Sequence, residues 1–300
     1  MPTVTTDSAG RAPGAEADVA AHSLLGEVVH RFVRQKTALG ASGVLIILIL
    51  SAVAAPLLTH QDPLRGVVSQ RLQPVGTPGH LLGTDEQGRD VLTRILYGGR
   101  ISLATGVIPV CIATVLGTAI GTTAGYLGGW VAALLMRTMD MLYAFPALLL
   151  AIAISSSLGP GIENAIIALS IVFIAPISRV ALVATRQEVV KEYFEAARLS
   201  GASTPQLIVQ QLLVNIFSTI FVYAAWLIGV SILAAAGLSF LGLGAKPPAP
   251  EWGYMLNSLR GSLYVQPWVV AVPGLFIFAA AMAFNLLSDA INEALDIKSA

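Results

Sequence analysis

The stretch KEYFEAARLSGASTPQLIVQQLLVN, residues 191–215, separates two apolar segments in the C-terminal half of the chain. Residues 192–200 favour a helix, and Gly201 can adopt the left-handed conformation that ends one. Thr204 and Pro205 then supply an N-cap and a first-turn proline for another helix. The stretch therefore predicts a helix, a sharp turn and a second helix outside the membrane.

The first of these helices mixes apolar and charged side chains. The apolar and small residues are Tyr193, Phe194, Ala196, Ala197 and Leu199, and the charged residues among them are Lys191, Glu192, Glu195 and Arg198. Such a pattern is typical of a helix that lies against a partner protein or a membrane surface. An ordinary amphipathic connector between two membrane helices is the alternative.

The composition identifies an integral membrane protein. Of the 300 residues, 55% are hydrophobic and only 11% are charged, whereas soluble proteins have about 25% charged residues. The mean hydropathy is +0.77. Lys and Arg together number 17, as do Asp and Glu, so the net charge gives no reason to expect a nucleic-acid partner.

The chain offers no evident catalytic or metal centre. Its single cysteine, Cys111, lies in an apolar stretch and cannot form an intrachain disulfide. The histidines show no metal-ligand spacing; they are His22, His30, His60 and His80. We expect no catalytic residue, no metal site and no cofactor in this chain.

Six apolar segments approach or exceed the roughly 20 helical residues that cross a bilayer. They cover residues 38–58, 101–124, 131–157, 162–184, 216–241 and 268–287. Pro146 interrupts the third segment, and Trp252 and Trp268 are expected at membrane boundaries. The prediction is an all-α membrane protein with six transmembrane helices and an internal N-terminus, because basic residues precede the first span.

The spans divide the chain into four parts. These are a disordered cytoplasmic N-terminal tail at 1–29, the first span and an extracytoplasmic connector at 30–100, a five-helix core at 101–290 with the loop 186–215, and a cytoplasmic C-terminal tail at 291–300. Within the connector, Thr84 or Asp85 is expected to cap a helix.

Two groups of residues inside the spans carry structural hypotheses. Gly117, Gly121 and Gly125 are four residues apart, which favours close helix packing in lipid. Arg137 and Asp140 are three apart, so they can pair on one helix face. Since ionised groups at membrane depth are paired or functional, a contribution to a gate is the alternative for this pair.

Several ordered blocks resemble one family, the permease subunits of oligopeptide, dipeptide and nickel ABC importers, and specifically the second permease of the pair. The blocks are residues 82–90, 97–103, 139–140, 144–146, 195–201, 251–256, 267–268, 273–274 and 283–287. The similarity extends over residues 30–297. The block at 195–201 resembles the EAA loop, whose short helix seats in a groove of the ATPase.

The resemblance implies a type I importer fold with a cytoplasmic coupling helix, in the inner membrane of a bacterium and with both termini cytoplasmic. It also implies four kinds of contact: a homologous second permease, two cytoplasmic ATPases, an extracytoplasmic solute-binding protein and membrane lipid. The coupling residues carried over are Glu192, Glu195, Ala196, Ala197 and Gly201. No lysine lies in a phosphate-binding loop, so ATP and magnesium belong to the partner subunits.

The resemblance favours di- and oligopeptides as cargo, and nickel chelates or glutathione are alternatives. A secondary transporter is the main rival class, but Asp140 and Asp289 lie near span ends rather than at the membrane centre. An intramembrane hydrolase is a second rival class, but its serine nucleophile would need a base, and no histidine of this chain lies in a predicted span. One departure from the family is Val214 in place of a usual proline, which predicts a smoother junction between the loop and the fifth span.

Overall fold

The computed structural model of the chain describes residues 30–295, and the regular structure over that range is helical. The predicted N-terminal tail at 1–29 lies outside the described residues, as does the end of the C-terminal tail from residue 296 onward. The first five residues of that predicted tail, 291–295, continue the last helix.

The helices follow in chain order. They are α1 Lys36–Val53, α2 Ala55–Leu58, α3 Val91–Leu127, α4 Gly129–Tyr143, α5 Ala147–Leu158, α6 Ile162–Glu188, α7 Glu192–Leu199, α8 Thr204–Phe240, α9 Trp252–Leu259 and α10 Pro267–Leu295. A π-helical turn at Leu207–Leu212 lies inside α8.

Five of these helices, α1, α3, α6, α8 and α10, are long and apolar enough to cross a membrane. Helices α4 and α5 meet at an angle of 87° and together pass the same test as one broken span. Pro146 is the N-cap of α5 and has an extended ψ of 125°. Its ring also disfavours helical geometry in the preceding residue, Phe145, so the helix is interrupted here. Counted with the broken span, the described residues contain the six predicted spans.

Successive spans alternate in direction, so the connecting segments gather at two ends of the bundle. We define the connector end as the end that holds residues 59–90 and 241–266, and the loop end as the end that holds α7. At the connector end the hydroxyls of Thr59 and Thr93 lie 2.6 Å apart, and Ser155 donates to the carbonyl of Leu243. The start of α1 and the end of α10 both lie at the loop end.

Helix α3 begins at Val91, ten residues earlier than the sequence indicated. The expected caps Thr84 and Asp85 are wrong: Asp90 caps this helix, and its Oδ2 accepts a hydrogen bond of 2.7 Å from the Thr93 amide. Residues 97–100, which were predicted to belong to the connector, are helical, and Gly98 packs against Pro250. A Cβ at Gly98 would lie 1.7 Å from the carbonyl oxygen of Pro250, so tertiary contact stabilises a segment that glycine makes a weak helix former.

Helix α3 packs closely against α6 along its glycine stripe. A Cβ at Gly117 would lie 2.9 Å from the carbonyl oxygen of Ile174, and one at Gly121 would lie 2.3 Å from that of Ser178. Gly125 similarly faces the Thr185 side chain. The missing side chains therefore allow the two backbones to approach, which in lipid is a major source of helix association.

Replacing Gly121 by Ala should destabilise the bundle by about 1–3 kcal/mol, because the added methyl group overpacks the contact with α6. Gly237→Ala is the matched control, since a Cβ at this helical glycine meets nothing within 4 Å. Thermal unfolding of the two variants in detergent checks the prediction. Equal melting temperatures for Gly121→Ala and the unaltered protein would contradict it.

Candidate functional site

Helix α7 is held on the loop end by one buried ring. Phe194 is 3% exposed and packs in a cluster with Leu207, Leu212 and Ile216 of α8. Its ring meets that of Tyr126, at the end of α3, edge to face with 6.2 Å between centroids. Burial of one phenylalanine contributes about 1.5–3 kcal/mol, enough to seat this short helix.

The opposite side of α7 forms one exposed face. Glu192, Glu195, Ala196 and Leu199 are spaced i, i+3, i+4 and i+7, so they share that face. Leu199 is 82% exposed, whereas Ala197 turns toward the bundle and is half-buried. We call these four residues the docking face; it combines two acids, a small residue and an exposed leucine.

A buried carboxylate links α7 to α6. Glu188, the last residue of α6, is 7% exposed, accepts a hydrogen bond from the Tyr193 hydroxyl, and lies 2.7 Å from Nζ of Lys191. Burial raises the pKa of the Tyr193 phenol, and the bond to Glu188 raises it further. Glu188 was not among the predicted site residues, although its position three residues before Lys191 is a recognised ion-pair spacing.

Gly201 ends α7 in a left-handed conformation with φ of +84°. The Gly201 amide donates to the carbonyl of Arg198 and the Ala202 amide to that of Ala197, which is the Schellman pattern. The next helix is capped by Ser203, whose side chain forms a capping box with Gln206. The expected N-cap, Thr204, is instead the first helical residue.

The loop continues directly into the fifth span. Thr204–Phe240 is one helix of 37 residues, so the smooth junction predicted from Val214 is present. The junction is not purely α-helical, because the turn at Leu207–Leu212 is π-helical. Such turns mark local strain and are frequent at functional sites.

Asp140 pairs across helices and not along its own. Its Oδ1 lies 2.6 Å from Nη2 of Arg179 on α6, and the Arg179 guanidinium lies 4.3 Å from the centroid of the Tyr143 ring. Arg137 is exposed and forms no ion pair within residues 30–295. The predicted Arg137–Asp140 pairing is therefore wrong, because Arg179 supplies the ion pair and also stacks on an aromatic ring.

A groove runs beside this ion pair. One cleft of about 420 Å³ lies between the α4–α5 bend, α6 and α8, and a second of about 480 Å³ lies between α6, α8 and α10. Tyr223 and Trp226 of α8 line both clefts. The groove therefore extends from the broken span toward the loop end.

A network of buried polar groups fixes the connector end. Arg94, 1% exposed, donates hydrogen bonds to the carbonyl oxygens of Pro63 at 2.8 Å, Pro248 at 3.2 Å and Ala249 at 3.3 Å. It thereby ties both connecting segments to the start of α3. The Asp85 carboxylate lies 2.7 Å from Nε of Arg89 in the same network.

Glu251 caps α9 from within the protein. Its two carboxylate oxygens accept hydrogen bonds from the Gly253 amide at 2.9 Å, the Tyr254 amide at 2.8 Å and the Ser102 hydroxyl at 3.1 Å. Burial raises the pKa of Glu251, although these bonds oppose the shift. Its neighbour Trp252 is 1% exposed and donates to the carbonyl of Ile95, so its ring packs inside the protein.

The fold defines an integral membrane protein with a short amphipathic helix exposed at one end. The family model described as "Binding-protein-dependent transport system inner membrane component" matches residues 117–298. A second model, described as "N-terminal TM domain of oligopeptide transport permease C", matches residues 23–74. The chain belongs to the family of binding-protein-dependent transport system inner membrane components.

Similar proteins support the same assignment. The glutathione transport system permease protein GsiD of Pectobacterium atrosepticum is 42% identical over 274 residues, which cover 91% of this chain and 90% of that protein. The GsiD proteins of Escherichia coli O6:K15:H31 and Shigella boydii serotype 4 are each 44% identical with the same coverage. The chain is thus a multi-pass inner-membrane permease subunit of an ABC importer, a transport subunit that acts with an ATPase, a solute-binding protein and a further permease.

The raised pKa of Glu251 predicts a pH dependence of stability. A carboxyl group whose pKa is higher in the folded state stabilises the fold fully below its unfolded pKa of about 4.3, and this contribution is lost as pH rises through the folded pKa. The melting temperature of Glu251→Gln minus that of the unaltered protein should therefore increase as pH rises above the unfolded pKa. Glu163→Gln, at an exposed acid, is the control, and a difference that stays flat with pH would contradict the prediction.

Gly201→Val should reduce transport severalfold, because a β-branched residue at φ of +84° strains the turn that aims α7. The strain is on the order of 1–2 kcal/mol, small enough to leave membrane insertion intact. Gly201→Asn is the matched control, since asparagine visits this conformation. Uptake by cells with equal membrane amounts of each variant checks this, and normal uptake by Gly201→Val would argue against a coupling role for the turn.

Proposed function

We propose that this chain is the second of two homologous permeases in a complex with two cytoplasmic ATPases and an extracytoplasmic binding protein. The docking face carries this proposal: Phe194 anchors α7 from behind while Glu192, Glu195, Ala196 and Leu199 are exposed. A helix so held has one side free for a protein partner. One ATPase binds this face, which makes the loop end, and with it both chain termini, cytoplasmic.

Coupling follows from the link between α7 and α6. ATP-driven closure of the ATPase pair displaces α7, and Glu188 transmits the displacement to α6 because it joins the two helices through Tyr193 and Lys191. Helix α6 carries Phe173 and Val180, which line the two clefts of the groove, so its movement changes the wall of the groove. Alternating access is then a movement of the third to fifth spans, α4 to α6 and α8, together with α7, which opens the pathway toward the binding protein.

We propose short peptides as the cargo, with glutathione as the first candidate. The similar GsiD proteins are named for glutathione transport, and glutathione is itself a tripeptide. It shares with other short peptides an ammonium group, carboxylates and amide bonds. Di- and oligopeptides therefore remain within the same proposal.

The test is to co-purify the tagged chain with its partners, reconstitute the complex in liposomes, and measure ATP hydrolysis and uptake of labelled glutathione. Both rates should rise when glutathione-loaded binding protein is added. Uptake that follows a proton or sodium gradient without ATP would instead indicate a secondary transporter. If the complex imports a dipeptide with ATP but does not import glutathione, glutathione is wrong as the cargo and the importer proposal stands.

Glu195→Lys should reduce ATPase recovery by about tenfold or more, since reversing a charge at an interface costs about 2 kcal/mol or more. Glu163→Lys is the matched control, because this exposed acid lies in the first turn of α6 at the connector end. The amount of ATPase that co-purifies with each variant measures the effect. If Glu195→Lys co-purifies with as much ATPase as the unaltered chain, the docking face does not bind the ATPase.

A further inference from the structure

The cleft between α6, α8 and α10 combines acidic, hydroxyl, amide and aromatic side chains. Its volume is about 480 Å³, within the usual range for small-molecule sites. The side chains that matter here are Ser218, Thr219, Tyr223, Trp226, Asp289 and Asn292. We call it the Asp289 cleft.

A hydrogen bond joins two walls of this cleft, α8 and α10. The Ser288 hydroxyl of α10 donates a 2.8 Å hydrogen bond to the carbonyl of Val222 on α8. Ser288 is 2% exposed, so the bond is shielded from water and pins the two helices beside the cleft. Asp289, the next residue on α10, is thereby held at the cleft wall.

The polar side chains of this cleft lie near the loop end of α8 and α10. Asp289 lies close to the end of its span, where an ionisable side chain can reach water, so it does not carry the full cost of burial in lipid. The Asp289 cleft shares Tyr223 and Trp226 with the cleft beside the broken span. Its polar side chains therefore line the same groove.

The side chains suit a small organic cation. Asp289 is exposed and forms no ion pair within the described range 30–295. The rings of Tyr223 and Trp226 lie 5.8 Å apart at an angle of 31°, and Trp226 is 41% exposed. A carboxylate beside aromatic faces attracts an ammonium group through charge and through cation–π interaction, while hydroxyl and amide oxygens accept its hydrogen bonds.

The surrounding charges do not cancel this attraction. Arg179 lines a smaller cleft together with Val180 and Thr219, which also line the Asp289 cleft, but its charge is balanced by Asp140 at 2.6 Å. Glu293, one turn beyond Asp289 on α10, is exposed and adds negative charge. The local potential therefore favours a cation.

We propose that the Asp289 cleft is a solute subsite in the translocation path that binds the protonated amino group of the cargo. Asp289 supplies the charge, Tyr223 and Trp226 supply the aromatic faces, and Asn292 and the hydroxyls supply further acceptors. This inference rests on the proposed peptide cargo and deepens it. The permease then selects for an ammonium group in addition to any selection by the binding protein.

The test uses the purified permease–ATPase complex without the binding protein, so that the selectivity of the binding protein does not enter. The probes are reduced glutathione and glutaryl-Cys-Gly, which differs from glutathione only by lacking the amino group. Saturation-transfer NMR measures the binding of each probe at millimolar concentration. The variants are Asp289→Asn, Asp289→Glu and, as the control away from the cleft, Glu163→Gln.

The unaltered complex and Glu163→Gln should bind glutathione about threefold more strongly than the analogue, as expected for a partly exposed ion pair. Asp289→Asn should lower glutathione binding to the level of the analogue and leave analogue binding unchanged, and Asp289→Glu should retain the preference. Equal binding of the two probes by the unaltered complex would overturn the inference, as would the absence of glutathione binding. An equal loss of both probes in Asp289→Asn would also overturn it, by indicating a structural role.

These outcomes are separable from failure of the proposed function, which the ATP-dependent uptake assay tests independently. A complex that imports glutathione but shows no dependence on Asp289 disproves only the subsite. A complex that binds the amino group through Asp289 but shows no ATP-driven uptake disproves the importer mechanism.

Discussion

The close approach of α3 to α6 is the contact on which the rest of the structure depends. Lipid tails are as apolar as leucine, so the hydrophobic effect does not drive these helices together and van der Waals contact must do so. Gly121 permits that contact, because any side chain there would meet the Ser178 carbonyl. Helix α6 then presents Phe173 and Val180 to the groove and Glu188 to α7, so one packed pair positions both functional regions.

The two ends of the bundle are built by different physical means. At the connector end, Arg94 and Glu251 are almost fully buried, and their desolvation is offset by hydrogen bonds to backbone carbonyls and amides. Removing one partner from such a network would leave an uncompensated polar group. The network therefore resists rearrangement and keeps this end of the bundle rigid. At the loop end, Phe194 anchors a helix whose outer face is exposed. The connector end is thus rigid, and the loop end is exposed for a partner. This arrangement suits a subunit that transmits movement along its axis.

Local features of the sequence predicted much of this arrangement. Apolar segments located the spans, Pro146 located the break, and Gly201 located the turn after α7. The start of α3 was misplaced because Gly98 and Gly99 are weak helix formers, and only contact with Pro250 and Trp252 makes them helical. Glu188 was missed because its burial depends on how α7 packs against the end of α6. No periodic pattern in the sequence indicates this packing.

The sequence by itself determined the class of protein, the number of spans and the helical nature of the loop, because hydrophobic length and backbone preference are properties of short segments. Tertiary structure alone decided that Asp140 pairs with Arg179 and not with Arg137. It alone brought Tyr223 and Trp226 into one cleft with Asp289. These contacts join residues that lie far apart in the chain, and their formation depends on the angle and distance at which whole helices pack.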